Sequence, residues 1–196
     1  MESKKVVLIR HGETSWSSSG KHTGLTDIPL IETGKKEALS LAPLLKKNHF
    51  NFEKAFVSPL QRAKETFDLM ELDVPMSLDK DLYEWNYGSY EGLTSEEIHK
   101  TDPSWSIFTK GAPGGESLVD IEQRVHRVLA KIEACQGNVI LFSSGHFLRA
   151  LATLWLKLPL SFGDNFSLNT GSISILGHLQ ETPSIILWNG RMSFFS

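Results

Sequence analysis

An uninterrupted apolar run near the start of the chain, Val6 to Ile9, is followed at once by Arg10, His11 and Gly12. Four consecutive apolar residues, most of them β-branched, are typical of a strand that is buried on both faces. Open α/β sheets form their ligand sites at the carboxyl ends of such strands. We therefore predict a buried strand whose tip carries a cation and an imidazole, with a glycine that lets a bound group approach the backbone.

Composition limits the classes of protein that this chain can belong to. Its 196 residues predict a single domain, spanning 1–196, with a sizeable buried core. Lys and Arg total 20 against 23 for Asp and Glu, so the net charge of -3 gives no footprint for nucleic acid or an anionic membrane. The single cysteine, Cys135, excludes an internal disulfide framework and fits a reducing compartment.

The apolar stretches are all short, which bears on where the protein is found. Only four apolar residues separate Met1–Lys5 from Arg10, too few for a signal peptide, and no apolar run approaches the length that spans a membrane. We therefore expect a cytoplasmic protein without a membrane partner.

A second strand leads directly into a helix that begins with a charged side chain. The predicted strand Ala55–Val57 is followed by Ser58, which suits the N-cap, by Pro59, which suits the first helical position, and by Gln61, which can close a capping box. Arg62 then lies in the first turn, on the same side as the first strand tip if the strands run parallel. Guanidinium and helix N-terminus both favour an anion, although a surface salt bridge of Arg62 is the alternative.

Two further segments carry side chains suited to chemistry. The predicted strand Asn138–Phe142 ends in Ser144, Gly145 and His146, which repeats the design of the first strand. Between these strands in sequence, Glu84 stands among aromatic residues and glycines. A carboxyl group beside aromatic rings is partly desolvated, which favours the protonated form that a general acid needs.

Together these strand ends suit phosphoryl transfer by side chains alone. An imidazole between two guanidinium groups is held neutral, so His11 keeps the lone pair that a nucleophile needs. Arg10 and Arg62 can clamp phosphoryl oxygens and neutralise charge in the transition state. Glu84 can protonate the leaving alkoxide and later take a proton from water.

At this point the sequence resembles the histidine phosphatase superfamily, the phosphoglycerate mutase-like proteins, over nearly its whole length. Within this superfamily, the sequence from Glu84 to Gly92 is most similar to that of sugar phosphatases of the sedoheptulose-bisphosphatase type. Four motifs carry the resemblance: Arg10-His11-Gly12-Glu13-Thr14, Ser58 to Thr66, Glu84 before Tyr87-Gly88, and Gly114-Gly115-Glu116-Ser117.

The resemblance implies a three-layer α/β/α sandwich with a mostly parallel central sheet and helices on both faces. The irregular segment from Trp105 to Pro113 predicts a lid-like insertion, which we expect around 84–116. It implies a phosphohistidine on His11 and proton transfer by Glu84, with a small phosphorylated metabolite as partner and without metal or cofactor. The residues that it places around the phosphate are Arg10, Ser17, Thr23, Gly24, Arg62, Ser144 and Gly145.

One position departs from the family pattern. The family normally carries a histidine five residues before an arginine like Arg149, and here that position holds Ser144. His146 comes two residues later. Either Ser144 donates a weaker hydrogen bond, or His146 takes over the role, or the site binds phosphate with impaired turnover. Loss of one such donor typically lowers the rate about a hundred- to a thousandfold, so we predict a weakened enzyme.

The leading hypothesis is a phosphatase of small phosphomonoesters, with sugar phosphates favoured. A phosphoglycerate mutase-type phosphotransferase is an alternative, but Trp85 and Asn86 follow Glu84 where mutases carry other residues, and the lid region offers only Lys100 and Lys110 as extra cations. A catalytically impaired phospholigand-binding protein is the second alternative. The sequence leaves the oligomeric state open.

Overall fold

A six-stranded sheet forms the centre of the computed structural model, which describes residues 4–47 and 50–191. The strand order is β3-β2-β4-β1-β5-β6. Neighbours among β3, β2, β4 and β1 pair in parallel, whereas β5 pairs antiparallel with β1 and with β6. The strands are β1 (Val6–Arg10), β2 (Phe52–Val57), β3 (Met76–Leu78), β4 (Asn138–Ser143), β5 (Ser172–Leu179) and β6 (Thr182–Gly190).

Within the described residues, four longer helices and three short ones connect the strands. Single 3-10 turns at Lys80–Leu82 and Gly88–Tyr90 and a longer one at Leu160–Asn165 complete the connections. The helices are α1 (Ser15–Ser18), α2 (Glu32–Lys47), α3 (Gln61–Met70), α4 (Ser95–His99), α5 (Ile107–Lys110), α6 (Leu118–Ala134) and α7 (Gly145–Trp155).

The first strand separates two hydrophobic cores. Val6 and Leu8 pack with residues of α6 and α7 on one face of the sheet, and Val7 and Ile9 pack with α2 and α3 on the other. Because all four side chains are at most 1% exposed, the apolar run is buried on both faces as the sequence predicts. Full burial of such side chains contributes about 1.5–3 kcal/mol each. The predicted mostly parallel sheet between two helical layers is therefore confirmed.

The start of α3 differs from its prediction. The helix begins at Gln61, and no side chain caps it from Leu60, so neither Ser58 nor Gln61 forms the predicted capping box. The backbone N–H of Ser58 donates to Phe142 O of β4, so Ser58 remains hydrogen-bonded to the sheet. The Gln61 N–H donates instead to Asp27 Oδ1 at 2.7 Å, so a loop distant in sequence caps the helix. Arg62 remains in the first turn.

Two of the connecting segments contain short helices. Thr14 and Ser17 form a capping box at α1, so the Ser/Gly-rich stretch after the first strand begins with a helical turn. The segment around 84–116 contains α4 and α5 and packs Trp85, Ile98 and Phe108 into the core. Its predicted role as a lid stays a prediction.

Candidate active site

His11 lies at the carboxyl end of β1 and is almost completely buried. Its Nδ1 is 2.7 Å from its neighbour's carbonyl, Gly12 O, which can only accept, so Nδ1 carries the proton and Nε2 keeps a lone pair. Burial, and then the nearby Arg62 and Arg10, hold the pKa of His11 well below 6.5. The imidazole is therefore neutral at physiological pH, as a nucleophile must be.

Gly12 is required for a different reason from the predicted one. A Cβ atom at this position would lie 2.2 Å from the backbone oxygen of Gly34 in α2, so the glycine lets a helix approach the strand tip. The prediction that Gly12 opens the backbone to a bound group is wrong, because another part of the chain occupies that space. The close contact fixes α2 directly behind His11.

Arg10 presents an unsatisfied donor beside His11. Its Nη1 donates to the carbonyl of Leu168. Its Nε is buried and has no hydrogen-bond partner among the residues that the structure describes. A Cβ at Gly145 would lie 3.1 Å from the guanidinium carbon, so the glycine makes room for this side chain. A buried N–H without an acceptor is costly, so the position of this side chain is kept at the expense of one hydrogen bond.

Arg62 is fully buried and is hydrogen-bonded to the loop between α1 and α2. Its N–H groups donate to the carbonyls of Gly24 at 2.8 Å, Thr26 at 2.9 Å and Thr23 at 3.1 Å. Burial lowers the pKa of Arg62, and carboxylates led by Glu84 raise it. The side chain adds positive charge close to His11, but it does not line the cavity described below. Its predicted direct contact with phosphate stays a prediction.

Glu84 joins the site to the N-terminus of α7. Its Oε1 accepts the backbone N–H of Trp85 at 2.8 Å and of Phe147 at 2.7 Å, and its Oε2 accepts that of His146 at 2.9 Å. The carboxylate thus satisfies two of the N–H groups that a helix start leaves open. Arg124 Nη2 donates to the backbone carbonyl oxygen of Glu84 at 3.2 Å and so helps to hold the same segment in place.

Ser144 and His146 differ in their access to the site. Ser144 is 1% exposed at the N-cap of α7, caps nothing with its hydroxyl, and accepts a hydrogen bond from Arg62 Nε at 3.4 Å. It does not line the cavity, whereas His146 does. The His146 Nδ1 is hydrogen-bonded to the hydroxyl of Tyr87.

A cavity of about 190 Å³ opens in front of His11. Among the predicted phosphate ligands, Arg10, Ser17, Thr23 and Gly145 line it. Gly24 does not; its N–H donates to Glu91 Oε1 at 2.9 Å and its carbonyl accepts from Arg62. Sequence reasoning missed several other lining residues: Lys21, His22, Tyr87, Arg149 and Leu168.

A signal for one of the missed residues is present in the sequence. Arg149 follows His146 by three positions on α7, and side chains at that spacing share a helix face. Its Nε donates to Gly163 O at 2.9 Å, and its guanidinium stacks over Phe108 at 4.6 Å. Lys21 and His22 carry no comparable signal, because only the path of the loop brings them to the cavity.

Neither a metal cluster nor a membrane-spanning helix is found in the described part of the chain. Over residues 4–47 and 50–191, no group of three or more His, Cys, Asp or Glu side chains is arranged to hold a metal ion. Over the same residues, no helix combines the length and the apolar character needed to cross a bilayer. The prediction that the N-terminal segment is not a signal peptide includes residues 1–3, which lie outside the described part of the chain.

The chain is similar to several known proteins. It is 39% identical over 175 residues to an acid phosphatase of Mycobacterium tuberculosis, covering 88% of this chain and 86% of that protein. It is 33% identical over 184 residues to sedoheptulose 1,7-bisphosphatase of Saccharomyces cerevisiae, covering 79% and 68%. The solved structure of the Rv3214 open reading frame product of M. tuberculosis superimposes with a TM-score of 0.93 at 35% identity, covering 97% of this chain and 99% of that one.

A family model described as "Histidine phosphatase superfamily (branch 1)" matches residues 6–191, which span β1 through β6 and every residue of the site. The fold, the buried neutral His11 at the tip of β1 and the family match agree with one another. The chain belongs to the histidine phosphatase superfamily.

Proposed function

We propose that the protein is a phosphatase that hydrolyses small phosphomonoesters, with sugar phosphates favoured, through a phosphohistidine on His11. The observation that carries this proposal is the state of His11, which is buried and neutral, with Nδ1 bonded to Gly12 O and Nε2 left for the cavity. A nucleophile needs such a fixed lone pair. Arg10, which lines the cavity beside it, supplies a guanidinium for the phosphoryl oxygens.

In the proposed reaction, the Nε2 lone pair of His11 forms a bond to phosphorus as the bond from phosphorus to the ester oxygen breaks. The departing alkoxide takes a proton from Glu84, whose Oε2 accepts only one backbone N–H and has a lone pair left to carry that proton. Water then attacks the phosphohistidine and gives its proton to Glu84. Inorganic phosphate leaves, and His11 and Glu84 return to their starting states.

The dimensions of the cavity support a small substrate. Its volume of about 190 Å³ lies below the range of roughly 300–1,000 Å³ typical of sites for drug-sized ligands. Lys21 and Arg149 also line the cavity. The sequence predicts only Lys100 and Lys110 as extra cations near the substrate, so the cavity holds more positive charge than predicted. The similarity to proteins named as acid phosphatase and sedoheptulose 1,7-bisphosphatase supports a phosphomonoester and, within that class, a sugar phosphate.

The serine at position 144 supports a weakened phosphatase. Its hydroxyl is directed to Arg62 and lies off the cavity wall, so it is poorly placed as a donor to the phosphoryl group. One missing donor of that kind typically lowers the rate about a hundred- to a thousandfold. At the extreme of this range the protein would bind phosphorylated ligands with little turnover.

A panel of sugar mono- and bisphosphates, p-nitrophenyl phosphate and 3-phosphoglycerate tests the proposal. We expect phosphate release from the sugar phosphates in wild type and its loss in His11→Ala, with His126→Ala, an exposed histidine of α6, as the matched control. Acid-labile phosphate trapped on the wild-type chain and absent from His11→Ala would identify the intermediate. Isomerisation of 3-phosphoglycerate would support the mutase alternative, and binding without release would support the ligand-binding alternative.

A further inference from the structure

The ring of His146 is held in one orientation beside the acid. Its backbone N–H donates to Glu84 Oε2 at 2.9 Å, and its Nδ1 is bonded to the hydroxyl of Tyr87. Phe108 and His22 flank the ring, with centroids 5.5 and 5.8 Å away. The side chain therefore lies on the cavity wall with its Nδ1 edge occupied and its Nε2 edge without a hydrogen-bond partner among the described residues.

The direction of the hydrogen bond between Tyr87 and His146 follows from the chemistry of the two groups. Tyr87 is 1% exposed, and burial raises its pKa well above 10, so the phenol keeps its proton. Among the described residues, His146 Nδ1 is the hydrogen-bond partner of this hydroxyl. A buried O–H donates wherever an acceptor is available, so the Tyr87 hydroxyl donates and Nδ1 accepts.

The charge state of His146 completes the assignment of the tautomer. Burial, and then Arg149, His22 and Arg10, hold the pKa of His146 well below 6.5, so the ring is neutral. A neutral imidazole has one N–H and one lone pair. Because the lone pair on Nδ1 accepts from Tyr87, the proton is on Nε2, the edge that has no partner within residues 4–47 and 50–191.

We propose that Tyr87 is a positioning residue that fixes His146 as an Nε2–H donor directed at the substrate, a donor additional to the one that Ser144 lacks. This rests on the proposed function, because it assigns a further donor to the same phosphatase site. Ser144 is one residue from the start of α7 and faces Arg62, whereas His146 is in its first turn and faces the cavity.

Histidine-selective NMR tests the assignment directly. With ¹⁵N-histidine in the full-length chain, long-range ¹H–¹⁵N spectra at neutral pH distinguish the Nδ1–H and Nε2–H tautomers. The chain has seven histidines, so the signal absent from His146→Gln identifies His146. We expect the Nε2–H tautomer in wild type and a mixture in Tyr87→Phe. Tyr90→Phe, a partly buried tyrosine packed on Trp105, is the matched control and should leave the tautomer unchanged.

Kinetics test whether the donor acts on the substrate. Tyr87→Phe should lower kcat/KM for p-nitrophenyl phosphate about three- to tenfold, the loss expected for one hydrogen bond, while Tyr90→Phe should not. In the His146→Gln background, Tyr87→Phe should cause no further loss, because the group that it positions is gone. An Nδ1–H tautomer in wild type, or an unchanged rate in Tyr87→Phe, would overturn the proposal.

A wild-type chain that released no phosphate from any ester would contradict the proposed function and leave this inference to be decided by binding. Titration with inorganic phosphate would then be followed at the His146 signal. A change in the Nε2–H resonance, absent in Tyr87→Phe, would support a donor positioned by Tyr87. No change in wild type at saturating phosphate would overturn it.

Discussion

The Nε atom of Arg62 lies 3.4 Å from the hydroxyl oxygen of Ser144, and both side chains are buried beneath the cavity. The position where the family carries a histidine is therefore adjacent to a fixed guanidinium and close to His11. An imidazole placed there would extend further toward the cavity than a hydroxyl does. The geometry thus makes Ser144 the position at which a single change tests the weakened phosphatase.

Ser144→His should raise kcat for sugar phosphates by tenfold or more, because it restores a donor of the kind whose loss typically lowers the rate about a hundred- to a thousandfold. Ser144→Ala is the control and should change kcat by less than about threefold, since the hydroxyl lies off the cavity wall. Initial rates of phosphate release measure both. An unchanged kcat in a folded Ser144→His variant would show that another group already fills the role.

Glu91→Ala should impair the enzyme through Arg62. Glu91 Oε1 accepts the N–H of Gly24 at 2.9 Å and of Thr26 at 3.1 Å, and the carbonyls of the same two residues hold the Arg62 guanidinium. Loss of these bonds should lower the free energy of unfolding by about 2–3 kcal/mol and kcat/KM about tenfold. Urea unfolding and steady-state rates measure the two effects.

Two variants make the Glu91 prediction specific. Glu91→Gln keeps an oxygen that can accept both N–H groups, so it should retain most of the stability and activity. Glu96→Ala removes an exposed carboxylate of α4 that lies 3.7 Å from Lys100, and it should cost at most about 0.5 kcal/mol. Equal losses in Glu91→Ala and Glu96→Ala would contradict a specific role for Glu91.

Arg124→Lys should weaken the support behind Glu84. The Arg124 guanidinium binds both oxygens of Glu116, at 2.8 and 2.7 Å, and also the carbonyls of Tyr83 and Glu84. A lysine keeps the charge but cannot reproduce the planar fork, so we expect a loss of about 2 kcal/mol in unfolding free energy and a lower kcat. Arg127→Lys, whose side chain is 55% exposed, is the control and should cost at most about 0.5 kcal/mol. A smaller loss in Arg124→Lys than in Arg127→Lys would refute the assignment.

The stability of the protein should fall as pH drops below about 6.5. Burial and nearby cations lower the pKa values of His11, His22 and His146, that of His22 to about 4. Between the folded and unfolded pKa values the unfolded chain binds more protons, so acid favours unfolding by about 1.4 kcal/mol per pH unit for each such histidine. Stability is therefore retained above the unfolded pKa and lost below it.

Urea unfolding of wild type, His22→Gln and His126→Gln between pH 7 and pH 5 checks this dependence. His22→Gln should have a shallower slope, by about one proton, because it removes one of the three imidazoles whose pKa is lowered in the folded protein. His126 is exposed on α6, so His126→Gln should keep the wild-type slope. Parallel curves for wild type and His22→Gln would contradict the prediction.

Local features of the chain predict more of the fold than of the site. The burial of Val6–Ile9 on both faces follows from the composition of that run alone, and it is present. The helix cap supplied by Asp27 and the bond between Tyr87 and His146 join positions far apart in sequence. Such contacts depend on loop paths that no local period encodes, and for the same reason Lys21 was missed.

Glu84 accepts three backbone hydrogen bonds, two of them from the first turn of α7, so it holds a helix start in place in addition to the proton transfer that we propose for it. Aspartate is one methylene shorter and could not reach both the helix start and the cavity, so it is no conservative substitute here. A descendant of this chain that had lost all turnover would still be under pressure to keep glutamate at this position, because α7 depends on it. The presence of this acid in a relative is therefore weaker evidence of catalysis than the presence of His11.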